Sequence, residues 1–121
     1  VRINTSLNEG RYGQGLVFAG DNAVIVDGVG ELNRCDSFSF SLWVRPKVTM
    51  ERAVLVHRSR SGIDAASRGF ALILEQMRPS FALAHFSPGN EVRIRDARPL
   101  PVGEWTHLAC TYDGSSRAQG L

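Results

Sequence analysis

The feature that most limits the fold of this chain is an alternation of apolar and polar side chains over residues 37–44. Large apolar residues occupy every second position, at Phe38, Phe40, Leu42 and Val44. The positions between them carry hydroxyls at Ser37, Ser39 and Ser41 and an indole at Trp43. Because successive side chains of a strand point to opposite faces, this pattern predicts a strand with one apolar face and one hydroxyl-bearing face. Pro46 ends it, since proline cannot donate to a ladder.

The same period of two recurs along most of the chain. It predicts further strands at residues 16–18, 23–26, 53–57, 70–74, 81–85, 92–95 and 105–112. Residues 77–80 and 87–90 contain proline with serine, glycine or asparagine, and are expected to be hairpin connections that join three strands into a meander. A short helical turn is expected within the polar insert 60–68. Eight short strands favour an antiparallel two-layer sandwich over an α/β fold, although periodicity does not distinguish a sandwich from a barrel.

Length and charge exclude several classes of partner. The chain has 121 residues, the size of one domain, and 14 basic against 12 acidic residues give a net charge of only +2. This charge is too small, and the arginines too scattered, to predict nucleic-acid binding. The apolar stretches are far shorter than the roughly 20 residues that a membrane-spanning helix needs.

Four motifs occur in a fixed order along the chain, at residues 16–21, 38–46, 103–107 and 111–114. In letters they are LVFAGD, FSFSLWVRP, GEWTH and TYDG. Together they resemble the laminin-G-like, concanavalin A-like jelly-roll superfamily over about residues 15–121. The nearest form is the copy embedded in large planctomycete proteins that also carry c-type cytochrome domains. There, segments similar to residues 57–60, 67–70, 85–90 and 112–117 recur.

The resemblance implies an all-β, antiparallel two-sheet jelly-roll sandwich of the concanavalin A type. It divides the chain into a lead-in, 1–14, and the domain, 15–121. In the family several more strands follow the Tyr-Asp-Gly turn, so the resemblance implies an excerpt truncated at its C-terminus, with open strand edges. It also implies a non-catalytic binding module of a larger extracytoplasmic protein, with a glycan or protein ligand and the parent chain's other domains as partners. Two alternatives stay open: a structural spacer that packs on neighbouring domains, and a degenerate glycoside hydrolase.

Catalytic machinery is not predicted. Glycoside hydrolases need two carboxylates that face the scissile bond at a set separation, whereas Glu75, Glu91 and Glu104 occur singly. The sequence has neither a Gly-x-Ser-x-Gly elbow nor a phosphate-binding loop. His107 and Cys110 are three residues apart on a predicted strand, so their side chains point to opposite faces and do not form a thiolate–imidazole pair. We therefore expect no enzyme.

Calcium is the metal that the sequence favours. The turn at Asp21 and Asn22 offers a carboxylate and carbonyl oxygens, which are the ligands of this ion, and Asp21 matches an aspartate that holds structural calcium in many laminin-G-like domains. The alternative is an Asp-Asn turn whose side chains satisfy the local backbone. His57, His85 and His107 lie in different strands without metal-ligand spacing, and hydrogen bonding is the expected role of the first two.

A ligand site is predicted at Arg58, Arg60 and Arg68, because the guanidinium fork suits carboxylates, sulfates and sugar hydroxyls; ion pairs with neighbouring acidic residues explain these arginines equally well. Trp43 and Trp105 are expected to be core residues, with a sugar-stacking platform as the alternative.

A disulfide between Cys35 and Cys110 would close a loop of about 75 residues and is left open.

Overall fold

The computed structural model describes residues 2–29, 32–59, 68–86 and 89–121, apart from the side chain of Phe86. These residues form antiparallel strands and one 3-10 turn, Ala118–Gly120, and contain no α-helix. The strands are β1 (Arg2–Ile3), β2 (Ser6–Glu9), β3 (Gln14–Val17), β4 (Ala23–Val24), β5 (Phe38–Val44), β6 (Arg52–Ser59), β7 (Gly69–Glu75), β8 (Arg78–Phe86), β9 (Asn90–Arg95) and β10 (Thr106–Tyr112). The all-β prediction is confirmed, whereas the helical turn expected in the insert 60–68 falls on residues outside the described ranges.

The chain divides into two compact units, Val1–Asn33 and Arg34–Leu121. In the first unit, β1 pairs with β4 and β2 pairs with β3, both antiparallel. The expected lead-in 1–14 therefore contains two strands. Sequence reasoning missed them because β1 and β2 are short and every residue in them is exposed, so no burial pattern marks them.

The second unit holds a two-stranded sheet in which β5 pairs with β10. Phe40 lies opposite Cys110 and Leu42 opposite Leu108, on the face that packs into the core. Ser39 and Ser41 are exposed on the other face. The predicted alternation along β5 is confirmed.

The same unit holds a four-stranded sheet with the order β6-β7-β8-β9. The predicted meander of three strands, β7, β8 and β9, is confirmed, and β6 joins it at the β7 edge. A bulge interrupts the β6 pairing between Val54 and Val56, so that Leu55 is an extra residue on this strand. Leu55 and Val56 both pack against the core as a result, although they are neighbours in sequence.

The turn between β7 and β8 differs from the predicted one. It consists of Gln76 and Met77, whose φ values are 51° and 66°, and Pro79 lies inside β8 opposite Leu74. A two-residue hairpin loop with positive φ at both positions usually contains asparagine or glycine. Here Met77 is buried against Leu74 and Leu100, so tertiary packing stabilises a turn that local preference disfavours.

The two sheets of the second unit pack face to face as a sandwich. Leu72 of β7 and Phe81 of β8 form the centre of the core together with Cys110 of β10. Rings from both sheets meet there: Phe38 lies 5.1 Å from Phe70 and 6.3 Å from Phe81, measured between ring centroids. Edge-to-face and tilted contacts of this kind stabilise beyond the area that they bury.

The central strands of the four-stranded sheet, β7 and β8, are buried on their other face as well. Ile73 and Ser80, which are paired and point away from the sandwich core, are 4% and 0% exposed. Ala71 and Ala82, the next pair on that face, are also buried. β7 therefore reads as a nearly continuous apolar run, which is the pattern of a strand covered on both sides.

The Tyr-Asp-Gly motif closes the end of β10. The Tyr112 hydroxyl donates to the Arg34 carbonyl oxygen at 2.7 Å and accepts from the Ser116 amide at 2.9 Å. Gly114 has a φ of 85°, and a Cβ at this position would collide with the Cys35 carbonyl group. The motif residues thus tie the start of the second unit to its last strand.

Candidate functional site

The predicted arginine site is only partly described. Arg58 lies opposite Phe70 near the end of β6, and Arg68 directly precedes Gly69, which pairs with Ser59. Both arginines are exposed and lie at the same end of the β6–β7 pair. Arg60 lies outside the described residues. The ligand role of these three arginines stays a prediction.

In the turn at Asp21 and Asn22, the Asn22 side chain bonds to the local backbone, which is the alternative to calcium binding. The Asn22 side-chain oxygen accepts from the amides of Ala19 at 2.6 Å and Gly20 at 3.3 Å. Its amide nitrogen donates to the Asn4 carbonyl oxygen at 2.9 Å. The Asn22 oxygen is thus engaged by backbone N–H groups, and Asp21 alone does not make the six- to eight-oxygen shell that calcium needs. These residues do not fit the ion by themselves.

The disulfide that the sequence left open is absent, because Cys35 and Cys110 are both free thiols. Cys35 is exposed, whereas Cys110 is buried, and burial raises the pKa of the Cys110 thiol to about 11. Cys110 lines a cavity of about 150 Å³ between the sheets together with Leu72, Phe81 and Leu108. His107 is exposed on the opposite face of the same strand, as expected. Cys110 is a core residue without a base beside it on its own strand.

In the described ranges, no cluster of three or more His, Cys, Asp or Glu side chains has the arrangement of a metal site. The His57 ring nitrogen Nδ1 lies 3.0 Å from the Ser59 hydroxyl. This contact is the hydrogen bonding expected of His57.

Two of the carboxylates that occur singly in the sequence, Glu75 and Glu91, bind one guanidinium on the outer face of the four-stranded sheet. Arg93 lies 3.2 Å from Glu91 and 3.8 Å from Glu75, measured from nitrogen to oxygen. Its third partner is the Ser80 hydroxyl, at 3.0 Å. Because Ser80 is fully buried, this contact satisfies a polar group that water does not reach. The cluster holds the sheet together and does not present two carboxylates to a substrate.

The outer face of the two-stranded sheet has the opposite character. It is formed by residues of β5 and β10, by the residue that follows β5 and by the residue that precedes β10. We term it the aromatic face, and its eight residues are Ser39, Ser41, Trp43, Arg45, Trp105, His107, Ala109 and Thr111. All are exposed except Trp105, which is half-buried. The two indoles and one imidazole lie at one end, and small side chains cover the rest.

The aromatic groups of this face contact one another in pairs. Trp43 and His107 lie opposite each other in the β5–β10 register, with ring centroids 5.0 Å apart and planes tilted by 40°. One step beyond the strands, the Arg45 guanidinium carbon lies 5.0 Å from the centre of the Trp105 ring. This distance is within the range of a cation–π interaction.

The expectation that Trp43 is a core residue was wrong. Its indole is 40% exposed, because it follows Ser39 and Ser41 on the outward-pointing positions of β5. The alternation along β5 carried this information, and the general preference of tryptophan for burial masked it. Trp105 is half-buried under Arg45, so it is neither a core residue nor a fully exposed platform for a sugar.

A second, shallower feature lies at the end of the four-stranded sheet beside the Gln76 turn. It is a broad basin of about 820 Å³ lined by Met50, Glu51, Arg52, Glu75, Gln76 and Arg95. Its lining combines two carboxylates and two guanidiniums with the uncharged Met50 and Gln76. It lacks the rigid aromatic side chains that usually dominate binding sites.

Comparison with known families agrees with this architecture. The family model of the concanavalin A-like lectin/glucanases superfamily, in its laminin G form, matches residues 18–119. The chain belongs to this superfamily. No curated protein and no solved structure matched the chain. Domains of this laminin G type commonly bind carbohydrates or proteins and are typically extracellular. In the described part of the chain, no helix is long and apolar enough to cross a membrane.

Proposed function

We propose that this concanavalin A-like domain is a non-catalytic module that binds a glycan through its aromatic face. The observation that carries the proposal is the exposed indole of Trp43 beside the His107 ring. The faces of sugar rings carry C–H groups, which pack on the electron-rich face of an indole, while hydroxyls at the ring edge take hydrogen bonds. Ser41 and Thr111 supply hydroxyls on the same face.

The contrast with the other sheet supports this choice of surface. On the outer face of the four-stranded sheet, the residues of the central strands β7 and β8 are buried, and Arg93 engages the carboxylates of Glu75 and Glu91. A glycosidase of the usual kind needs one carboxyl group as an acid and a second as a base or nucleophile. Because Arg93 already pairs with Glu75 and Glu91, these two carboxylates are not free to act as such a pair, which supports binding without hydrolysis.

We place the module in a larger extracytoplasmic bacterial protein, of the planctomycete cytochrome-domain kind that the sequence resembles. This part of the proposal rests on the motif series and on the usual location of laminin G-like domains. A calcium ion at Asp21 remains a prediction, and it needs oxygen ligands besides this carboxylate because Asn22 is engaged by the turn.

A second candidate function, a spacer that packs on neighbouring domains, is favoured by the edge of the sandwich. Ile94 on β9 is 40% exposed although its side chain points to the core side. Ile94 lines the same cavity as Cys110. An apolar side chain from another domain would cover Ile94 and fill this cavity.

The test is glycan binding by the 121-residue chain and two variants. We expect Trp43→Ala to weaken the affinity for a bound polysaccharide about tenfold or more, because buried aromatic anchors carry most of the energy of an interface. Tyr12→Ala is the matched control, since Tyr12 is an exposed aromatic residue of the other unit. A glycan array identifies the polysaccharide, and calorimetry measures the affinity.

Folding must be shown separately. Because Trp43 is on an open face, Trp43→Ala should melt within a few degrees of the unmodified chain. If a folded Trp43→Ala variant binds as well as the Tyr12→Ala control, or if no polysaccharide on the array binds the unmodified chain, the glycan proposal is wrong. In the second case the spacer function takes its place.

A further inference from the structure

We infer that the glycan is anionic and that Arg45 binds its carboxylate or sulfate groups. This inference rests on the proposed function, because it assigns the ligand class of the same aromatic face. The eight residues of that face include one permanent cation, Arg45, and no acidic side chain. A glycan that reaches Trp43 therefore meets positive charge on this face.

The position of Arg45 explains how one guanidinium can hold an anion. Its central carbon lies over the Trp105 ring, 5.0 Å from the ring centre, which is within the range of a cation–π interaction. The N–H donors of a guanidinium lie in its own plane, at the edge of the group. These donors match the two oxygens of a carboxylate or the edge of a sulfate. Stacking also restricts the side chain, which lowers the entropy that is lost when a ligand is bound.

Two other arginines of this unit have a different environment. Arg93 is bound by Glu91 and Glu75, and Arg98 lies 3.6 Å from Asp96. Carboxylates of the protein already serve these guanidiniums, whereas Arg45 packs on an aromatic ring. The exposed Lys47, two residues further on, adds positive charge at the same end. Glu104 directly precedes Trp105 in the chain, and its carboxylate is exposed.

The experiment uses pairs of polysaccharides that differ only in charge. Polygalacturonate is compared with its methyl ester to test carboxylates, and dextran sulfate is compared with dextran to test sulfates. Calorimetry on the 121-residue chain gives the affinity for each polymer. We expect the charged member of at least one pair to bind about tenfold tighter than its neutral partner, as charge-assisted hydrogen bonds allow. That preference should shrink as salt is raised, because the face is exposed.

Variants locate the effect on the aromatic face. Arg45→Ala should remove most of the preference for the charged polymer, and Arg45→Lys should restore only part of it, because lysine keeps the charge but loses the planar fork. Arg98→Ala is the matched control: it removes the same charge from a side chain that is 89% exposed elsewhere on the unit. Glu104→Gln should strengthen binding of the charged polymer a fewfold, because a nearby repulsive charge is gone.

The outcomes separate this inference from the proposed function. Equal affinity for the charged and neutral members of both pairs, with binding still lost in Trp43→Ala, overturns the anionic ligand and leaves the glycan function standing. Equal losses in Arg45→Ala and Arg98→Ala overturn the role of Arg45, because they show attraction by net charge alone. Binding of no polymer overturns both proposals. A preference that Arg45→Ala abolishes and Arg98→Ala preserves supports the inference.

Discussion

The two sheets of the second unit use the same alternation of side chains for different purposes. On the two-stranded sheet, β5 is buried on one face only, and its outer positions carry serine, tryptophan and arginine. On the four-stranded sheet, β7 is buried on both faces, and Leu72 and Ile73 are 1% and 4% exposed although they point in opposite directions. The difference separates a surface available to a ligand from a surface used for stability.

This division shows where functional residues can be sought in such a sandwich. Polar groups on the outer face of the four-stranded sheet, such as Ser80 and Arg93, satisfy one another within the protein. Polar and aromatic groups on the aromatic face are exposed to solvent. Charge or hydroxyl content alone does not distinguish these two sets, whereas burial does.

The largest expected effect tests whether both faces of β7 contribute equally to stability. Ile73→Ala and Leu72→Ala should each lower the free energy of unfolding by about 3 kcal/mol, since each removes a buried branched side chain and leaves a cavity. Ser41→Ala on the exposed face of β5 should change it by less than about 0.5 kcal/mol. Urea denaturation followed by tryptophan fluorescence measures all three. A cost below about 1 kcal/mol for Ile73→Ala would mean that the outer face is open.

A smaller effect concerns the buried polar cluster on the same face. Arg93→Met should destabilise the fold by about 2 kcal/mol, because it leaves the buried Ser80 hydroxyl without its partner and the carboxylates of Glu75 and Glu91 without their cation. Arg98→Met is the control, since an ion pair this exposed contributes almost nothing. Equal denaturation midpoints for the two variants would show that the cluster is a surface feature.

How far the sequence predicted the molecule depended on the signal involved. Burial along β5 followed the alternation of Phe38, Ser39 and their neighbours, so both the strand and its orientation were predictable. The same rule placed Trp43 outside, and only the weaker preference of its residue type suggested otherwise. At Trp43 the alternation and the residue type gave opposite predictions, and the alternation was the better guide.

Other features depend on contacts that no local pattern encodes. Gln76 and Met77 form a turn without glycine or asparagine because Met77 packs against Leu100, more than twenty residues away. The Asn22 oxygen is turned toward backbone amides, and sequence alone cannot distinguish this from a cation ligand. Whether Cys35 and Cys110 form a disulfide likewise depends on their positions in three dimensions, which their spacing in the sequence does not fix.

The smallest effect tests how well the two-stranded sheet protects its buried thiol, and it does not alter stability. Iodoacetamide should modify Cys35 of the folded chain quickly and Cys110 very slowly. A thiol pKa of about 11 instead of 9.0 leaves roughly a hundredfold less reactive thiolate at neutral pH, before steric protection is counted. Raising the pH toward 11 should speed the modification of Cys110, which mass spectrometry follows peptide by peptide.

The control for this measurement is the unfolded chain in urea, where both thiols should react at similar rates. Equal rates in the folded chain would show that β10 opens readily, and that the two-stranded sheet is much less rigid than its burial indicates. Hydrogen exchange at the amides of β7 provides the reference for the more protected sheet.

The extra residue at Leu55 allows β6 to change in length, which β7, its neighbour in the sheet, cannot do as easily. In a strand without a bulge, the gain or loss of one residue moves every following side chain to the opposite face of the sheet. In β6 the irregularity absorbs such a change, and removal of Leu55 would leave Val54 outward and Val56 inward as they are now. Evolutionary insertions and deletions in relatives of this domain are therefore expected to occur at this point more often than in β7, whose length should stay constant.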